Sequence, residues 1–186
     1  MIQRNNLLKQ IRFQNNLIET LEAWDIQLVK YGSEVIKYRE KFIKHLGEVC
    51  QKIHNKLTGG KEKILLEYDR DVGYDSYLTE LAKKRQKDLK YSTTTVGPHR
   101  DDISFIVNGI DIRKYGSQGQ QRTAALSLKL AQIQLMREVM KESPILLLDD
   151  VLSELDSNRK TYLLESIKDT QTIITCTGLD EFISKH

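Results

Sequence analysis

Two adjacent carboxylates, Asp149 and Asp150, close the apolar run Pro144-Ile-Leu-Leu-Leu, and the turn Tyr115-Gly-Ser-Gln-Gly-Gln-Gln-Arg lies one helix length upstream. An apolar strand ending in paired acids sets one carboxylate to hold a Mg²⁺ water shell and the next to polarise an attacking water. Ser117 and Gly119 at a helix start offer a phosphate a hydroxyl, backbone N–H groups and the positive end of the helix dipole. Ser153-Glu154-Leu155-Asp156 follows the acids directly. This order is that of the second half of an ATP site. The phosphate-cradling loop Gly-x-x-x-x-Gly-Lys-Ser/Thr is missing: Gly59-Gly60-Lys61 has Asn55 where its first glycine belongs and Glu62 where its hydroxyl belongs. Gly59-Gly60 therefore reads as a helix stop.

Structural roles compete with each of these. Ser117 suits a plain helix cap, Asp150 can cap a following helix, and Glu154 and Asp156 are acids of the kind favoured at helix starts. Asp156 is expected both to cap and to reach across a dimer. His99 and Arg100 beside Asp101 and Asp102 have no second histidine at ligand spacing, which favours an ion-paired bracing loop over a metal site.

The elements that must position these groups follow from periodicity. Trp24, Leu28, Tyr31, Val35, Tyr38, Phe42, Leu46, Val49, Ile53 and Leu57 fall on one helical stripe. Leu7, Ile11, Ile18 and Leu21 continue it upstream with a break near Ala23 to Asp25, and the uncapped opening suits a chain cut into the middle of an element. A short strand over 63–68 and a helix from Asp75 to Tyr91 follow, the latter with Lys83, Lys84, Arg85, Lys87 and Lys90 on its exposed face. Such a charge run is a solvated face or a DNA backbone contact. Strands over 103–107 and 110–113 flank the hairpin signal Asn108-Gly109. A helix over 120–141 should pack Ala124, Leu128, Ala131, Leu135, Met136 and Val139 on a sheet. Strand 145–149, helix 158–168, strand 171–176 and helix 179–184 then alternate, which predicts a largely parallel α/β sheet.

The 186 residues allow one domain with an appendage or two small domains, and 39% hydrophobic and 30% charged content with two prolines is that of an ordinary globular chain. No run is long enough to span a bilayer and Met1-Ile2-Gln3-Arg4-Asn5 does not start a signal peptide, so a cytoplasmic protein without membrane contact is expected. Cys50 and Cys176 stand alone, which predicts reduced thiols. A net charge of +3 permits contact with nucleic acid without demonstrating it.

Three motifs in order, Gly97-Pro98-His99-Arg100-Asp101-Asp102, Gly116-Ser-Gln-Gly-Gln-Gln-Arg-Thr123 and Ile145-Leu-Leu-Leu-Asp-Asp-Val-Leu-Ser-Glu-Leu-Asp156, closely resemble the RecF family of bacterial recombination and repair proteins. Arg4-Asn5-Asn6-Leu7-Leu8-Lys9 and the helix from Trp24 resemble that family's helical second domain, so the resemblance covers essentially the whole chain. It implies the carboxy-terminal part of an ABC-type P-loop ATPase head, an α/β fold related to SMC heads, joined to an α-helical arm. Residues 1–91 would be the arm and 92–186 the lobe of the head, with the amino-terminal part and its Walker A loop missing.

In such heads two subunits sandwich ATP. By resemblance Ser117, Gln118, Gly119 and Gln120 form the signature that meets ATP in trans, Asp149 holds the Mg²⁺ shell, Asp150 is catalytic, and Ser153, Glu154 and Asp156 belong to the D-loop. Many relatives use Glu where Asp150 stands, and the shorter acid implies slow hydrolysis. Where other heads carry a switch histidine this chain offers Thr175, Cys176 and Thr177, and Thr177 is the candidate; His45 and His54 lie on the arm, which excludes them from that role. The implied activity is slow, DNA-stimulated ATP hydrolysis by a homodimer that clamps double-stranded DNA and, with RecR and RecO, directs RecA onto gaps. This chain alone should be inactive. A head of the SMC, SbcC or RecN type is disfavoured by the compact arm and by Gln-Gln-Arg after the signature glycine. A transporter subunit is disfavoured by Ser117-Gln-Gly-Gln, and a protein-interaction module with idle ATP motifs is the reading from a different class.

Overall fold

The computed structural model of the chain describes residues 1–152 and 155–176. Contacts group it into two compact units, Met1–Lys44 with Glu67–Ser104 and His45–Leu66 with Phe105–His186. The grouping interleaves segments from both sides of residue 91, where the sequence alone suggests one boundary.

The first unit holds α1 (Ile2–Ile11), a 3-10 segment (Asn15–Thr20), the leading part of α2 (Leu21–Leu57) and α3 (Tyr77–Tyr91). The expected break near Ala23 to Asp25 falls earlier, in the 3-10 segment, because Thr20 Oγ1 donates to Leu17 O at 2.7 Å and buried Leu21 packs with Leu7, Leu8 and Ile11. The stripe of α2 also needs correction over its first half. Tyr31, Val35, Tyr38 and Phe42 face outward, Tyr38 at 74% exposure, while Ile36 is fully buried. Two stripes satisfy the same period here, and the tertiary partner chooses between them. Gly32 marks the chosen one, since a Cβ there would sit 2.6 Å from the Tyr77 ring. Tyr77, Leu81, Val72 and Val96 complete that cluster.

Beneath these apolar contacts lies a buried guanidinium. Arg4, 1% exposed, donates through Nε to Asp25 Oδ1 at 2.6 Å and through Nη1 to Asp88 Oδ2 and Thr94 Oγ1, each at 2.8 Å. Arg85 Nη2 adds a second cation to Asp25 at 3.0 Å. Asp88 Oδ1 also accepts from Thr95 N and Oγ1, and Asn5 Oδ1 accepts from Thr94 N and Oγ1. One charge thus ties α1, α2, α3 and the loop after α3.

The motif from Gly97 to Asp102 belongs to this unit. Gly97 has φ 134 and a Cβ there would collide with the Tyr77 hydroxyl, so a side chain is excluded on both counts. Asp101 accepts from Arg39 Nη1 at 3.0 Å, from Asp71 N at 3.0 Å and from the Tyr68 hydroxyl. Burial first, and the Asp101 carboxylate second, push Tyr68 up to about 12, which keeps it a donor.

In the second unit α2 stops at Leu57 as Gly59 and Gly60 take φ 60 and 79 and Gly60 N donates to Asn55 O at 2.8 Å, a glycine-terminated helix. Strands β1 (Ile64–Asp69), β2 (Asp102–Val107) and β3 (Ile110–Asp111) are neighbours in that order. β2 and β3 run antiparallel with Val107 opposite Ile110, and Asn108 and Gly109 both take positive φ, the turn that this dipeptide favours. β3 is shorter than its expected four residues. Asp111 accepts from Arg113 N at 3.1 Å and starts the helical turn α4 (Ile112–Tyr115) instead.

Helix α5 (Gln118–Met140) buries Thr123, Ala124, Ser127, Leu130, Ala131 and Leu135. Met136 and Val139, expected inward, are exposed, Val139 at 81%, because the buried stripe ends at Leu135. β4 (Leu146–Asp149) and β5 (Thr172–Thr175) pair in parallel, Leu146 opposite Thr172 and Asp149 opposite Thr175, with α6 (Ser157–Ser166) between them in sequence. Leu146 and Leu148 are buried, whereas Ile145, Leu147 and Ile173 are exposed, Leu147 at 66%. The expected helix over 179–184 lies outside the described residues.

Fully buried His54 joins α2 to α5: its Nδ1 lies 2.9 Å from Ser127 Oγ and its Nε2 3.2 Å from Glu62 Oε2. Burial holds the ring below its ordinary 6.5 against the opposing pull of Glu62. Cys50 beside it in α2 is a buried thiol pushed up to about 12.

Two outcomes follow from these buried groups. Arg4→Met should cost about 3–5 kcal/mol in urea unfolding, since it removes the cation that buried Asp25 and Asp88 share and leaves them to Arg85 and Thr95; a loss under about 1 kcal/mol would contradict a charge-dependent core. For His54 the folded state binds fewer protons than the unfolded chain below 6.5. Its contribution is present above that pH and lost as pH falls through the depressed folded value. The urea midpoint should therefore decline from about pH 7 to about pH 5 more steeply in the parent than in His54→Gln. Parallel declines would show that another group controls the acid limb.

Candidate nucleotide site

Both halves of the sequence-derived site lie in the second unit. Asp149 ends β4, where Thr175 Oγ1 on β5 donates to its Oδ1. Asp150 then takes φ 49, a left-handed conformation that Asp tolerates better than most residues. Its N–H donates to both Thr175 O and Thr175 Oγ1, each at 3.0 Å. One threonine therefore holds both acids. Both are exposed. Mg²⁺ bound with a nucleotide needs only one or two protein carboxylates, the remaining oxygens coming from phosphate and water, and this pair fits that requirement. Among the described residues no cluster of three metal-ligating side chains exists. His99 Nε2 lies 3.1 Å from Thr94 O.

Ser117 is the N-cap of α5, which starts two residues earlier than expected. Ser117 Oγ accepts from Gln120 N at 3.2 Å, and Gln120 Oε1 accepts from Ser117 N at 3.1 Å, a reciprocal capping box. Gln121 N donates to Ser117 O at 3.0 Å. The cap uses a lone pair of the Ser117 hydroxyl and leaves its hydrogen to donate. Gln118 and Gly119, both exposed, occupy the first two helical positions, whose N–H groups have no carbonyl a turn behind them. The cap and a phosphate contact are therefore compatible uses of the same turn.

Gly119 separates them. A Cβ built there meets only Ser117 Oγ at 4.0 Å, and no unusual φ demands glycine. Glycine inside a helix costs roughly 0.5–1 kcal/mol relative to alanine, and at Gly119 neither backbone angle nor crowding among the described residues calls for it. Gly116 one turn away is the contrast, since a Cβ there would lie 2.6 Å from Ile112. Gly119 is exposed at the start of α5.

Gln120 reaches one residue that sequence reasoning passed over: its Nε2 donates to Glu62 Oε1 at 3.2 Å. Glu62 drew notice only as the wrong residue for a cradle, and its partner lies 58 positions away, so no local pattern could signal the pairing.

Asp156 caps α6, accepting from Arg159 N at 3.0 Å. Ser153, Glu154 and Thr177 lie outside the described residues. In the first unit Lys83, Lys84 and Lys87 are exposed on α3, Lys83 pairing with Glu80 at 2.7 Å, while Arg85 turns inward to Asp25. No helix among the described residues is long and apolar enough to cross a membrane.

No family model matches the chain. Among the curated proteins that match it are two named DNA replication and repair protein RecF. That of Agathobacter rectalis is 57% identical over 186 residues, covering 100% of this chain and 51% of its own length. That of Lachnospira eligens is 56% identical, covering 99% of this chain and 51% of its own. Among solved structures, one described as the recombination mediator protein RecF-ATP in the RecFOR pathway superposes with a TM-score of 0.86 at 38% identity, covering 97% of this chain and 51% of its own. The chain spans about half the length of the relatives it matches. By sequence over its whole length and by fold, this chain belongs to the RecF family, as the carboxy-terminal portion of such a protein.

Proposed function

We propose that this chain supplies the signature and Walker B walls of an ATP-clamped RecF homodimer acting in recombinational repair. The observation that carries the reading is Gly119: a glycine at an exposed helix start, with nothing among the described residues to require it, suits the close approach of a phosphate from outside. In this reading Ser117 donates its hydroxyl hydrogen, and Gln118 and Gly119 their N–H groups, to the γ-phosphate of ATP bound by the other subunit. Asp149 orients the water shell of Mg²⁺, and Asp150 orients or deprotonates the attacking water. The cradle for the phosphates comes from the part of the full-length protein outside this chain, so the chain alone neither binds ATP tightly nor hydrolyses it. The relatives' names, a DNA replication and repair protein and a recombination mediator seen with ATP, support the wider role. That role is ATP-dependent binding of double-stranded DNA, slow DNA-stimulated hydrolysis, and loading of RecA at gaps with RecR and RecO. Lys83, Lys84 and Lys87 on α3 are the proposed DNA contacts; the arm and head division at residue 91 is part of the same proposal.

In the full-length protein, Gly119→Ala should leave the unfolding midpoint unchanged or slightly raised while weakening ATP-dependent dimerisation about ten-fold or more. Asp150→Asn should keep ATP binding and slow phosphate release about a hundred-fold. Parent-like dimerisation by Gly119→Ala would remove the signature role. Changing Lys83, Lys84 and Lys87 together to Ala should make the salt dependence of DNA binding shallower by about three in log–log slope, about 0.9 per phosphate contact. An unchanged slope would exclude α3 as the contact.

A further inference from the structure

Ser117 and Gly119 can serve a phosphate only if the first turn of α5 holds one arrangement, and the side chain that arranges it is Gln120. Gln120 is half-buried, its Oε1 accepting from Ser117 N and its Nε2 donating to Glu62 Oε1 at 3.2 Å. Glu62, with 19% of its side chain exposed, turns its other oxygen to His54 Nε2 at 3.2 Å. His54 in turn meets Ser127 Oγ at 2.9 Å, two turns further along the same α5. The chain of contacts leaves α5 at Gln120 and returns to it at Ser127.

We propose that Glu62 is a positioning residue for the signature turn, fixing Gln120 so that the Ser117 hydroxyl and the Gly119 N–H point at the nucleotide of the opposing subunit. The proposal rests on the signature role given to Ser117 and Gly119 above.

The proton placement fits this role. Glu62, as a carboxylate, can only accept, so it receives the Nε2 hydrogen of His54 and one amide hydrogen of Gln120. The Ser127 hydroxyl donates to Thr123 O at 2.7 Å, and His54 Nδ1 lies 2.9 Å from that same hydroxyl oxygen. Receipt of that amide hydrogen decides which end of the Gln120 amide faces Glu62. It leaves Oε1 for Ser117 N, and an amide turned the other way would oppose two donors and break the capping box. Glu62 is therefore more than a packing residue: its acceptor oxygen selects the amide orientation on which the cap depends.

The test uses the full-length protein in four forms, parent, Glu62→Ala, Glu62→Gln and Gly119→Ala. For each, sedimentation gives the protein concentration at the midpoint of dimerisation with saturating ATPγS, and the monomer's nucleotide affinity and unfolding midpoint are measured alongside. Glu62→Ala should raise the dimerisation midpoint about ten-fold or more, the scale of a lost hydrogen bond to a charged group. Monomer nucleotide affinity should not change. Glu62→Gln, whose amide oxygen still accepts from Gln120, should recover most of the loss. A parent-like Glu62→Ala beside a dimer-deficient Gly119→Ala would overturn the positioning role and leave the signature role standing. A parent-like Gly119→Ala would remove the signature role, and the inference with it. Glu62→Gln as deficient as Glu62→Ala, or a deficit matched by lost nucleotide affinity or lost folded protein, would reduce Glu62 to a structural residue.

Discussion

A helix cannot begin without disposing of the N–H groups that have no carbonyl one turn behind them. At α5 that requirement organises the candidate site. Ser117 and Gln120 satisfy the third position reciprocally, Ser117 O satisfies the fourth, and the first two positions are Gln118 and exposed Gly119. A side chain at either neighbouring position would have to share this space, and glycine leaves it open. The same turn thus meets an internal demand and keeps an external face. The acids at the end of β4 show a comparable economy, as a single hydroxyl and carbonyl of Thr175 position the Asp149 carboxylate and the Asp150 backbone.

Much of this was open to sequence reasoning wherever chemistry and spacing coincide locally. Asp149 is legible because an apolar strand ends in it, the hairpin because Asn108-Gly109 tolerates two positive φ values, and the end of α2 because Gly59-Gly60 can leave the helix left-handed. Orientation was less legible than extent. Along α2 the stripe through Tyr31 and Tyr38 and the stripe through Ile36 and Ile43 share one period, and Tyr77, seated against Gly32, with Val72, Leu81 and Val96 selects the second. Long-range polar pairs were not legible at all. His54 and Ser127 are separated by 73 positions, and a lone histidine on a helical stripe carries no mark of its partner.

The first unit answers to a different constraint. Arg4 cannot remain charged inside a protein without anions around it, and Asp25 and Asp88 supply them from two other helices. Replacing a buried ion pair of this kind by apolar residues of equal volume is often neutral or stabilising, whereas removing one partner alone is costly. Asp101 repeats the pattern nearer the surface, drawing Arg39, Tyr68 and the Asp71 backbone to one carboxylate. The motif beginning at Gly97 is thereby accounted for by packing and hydrogen bonding within this unit. His99 and Arg100 stay at its surface.

The parallel pair β4 and β5 carries the acids on four residues each, with Ile145, Leu147 and Ile173 uncovered on one side. Two strands with a wet apolar flank form a poor sheet in water. In isolation this polypeptide should behave as a sticky colloid: sulfate or phosphate buffers, which strengthen apolar association, would drive it out of solution, and a dye that fluoresces on greasy surfaces would light up on the folded form. Handling it alone is therefore a matter of solvent choice before it is a matter of catalysis.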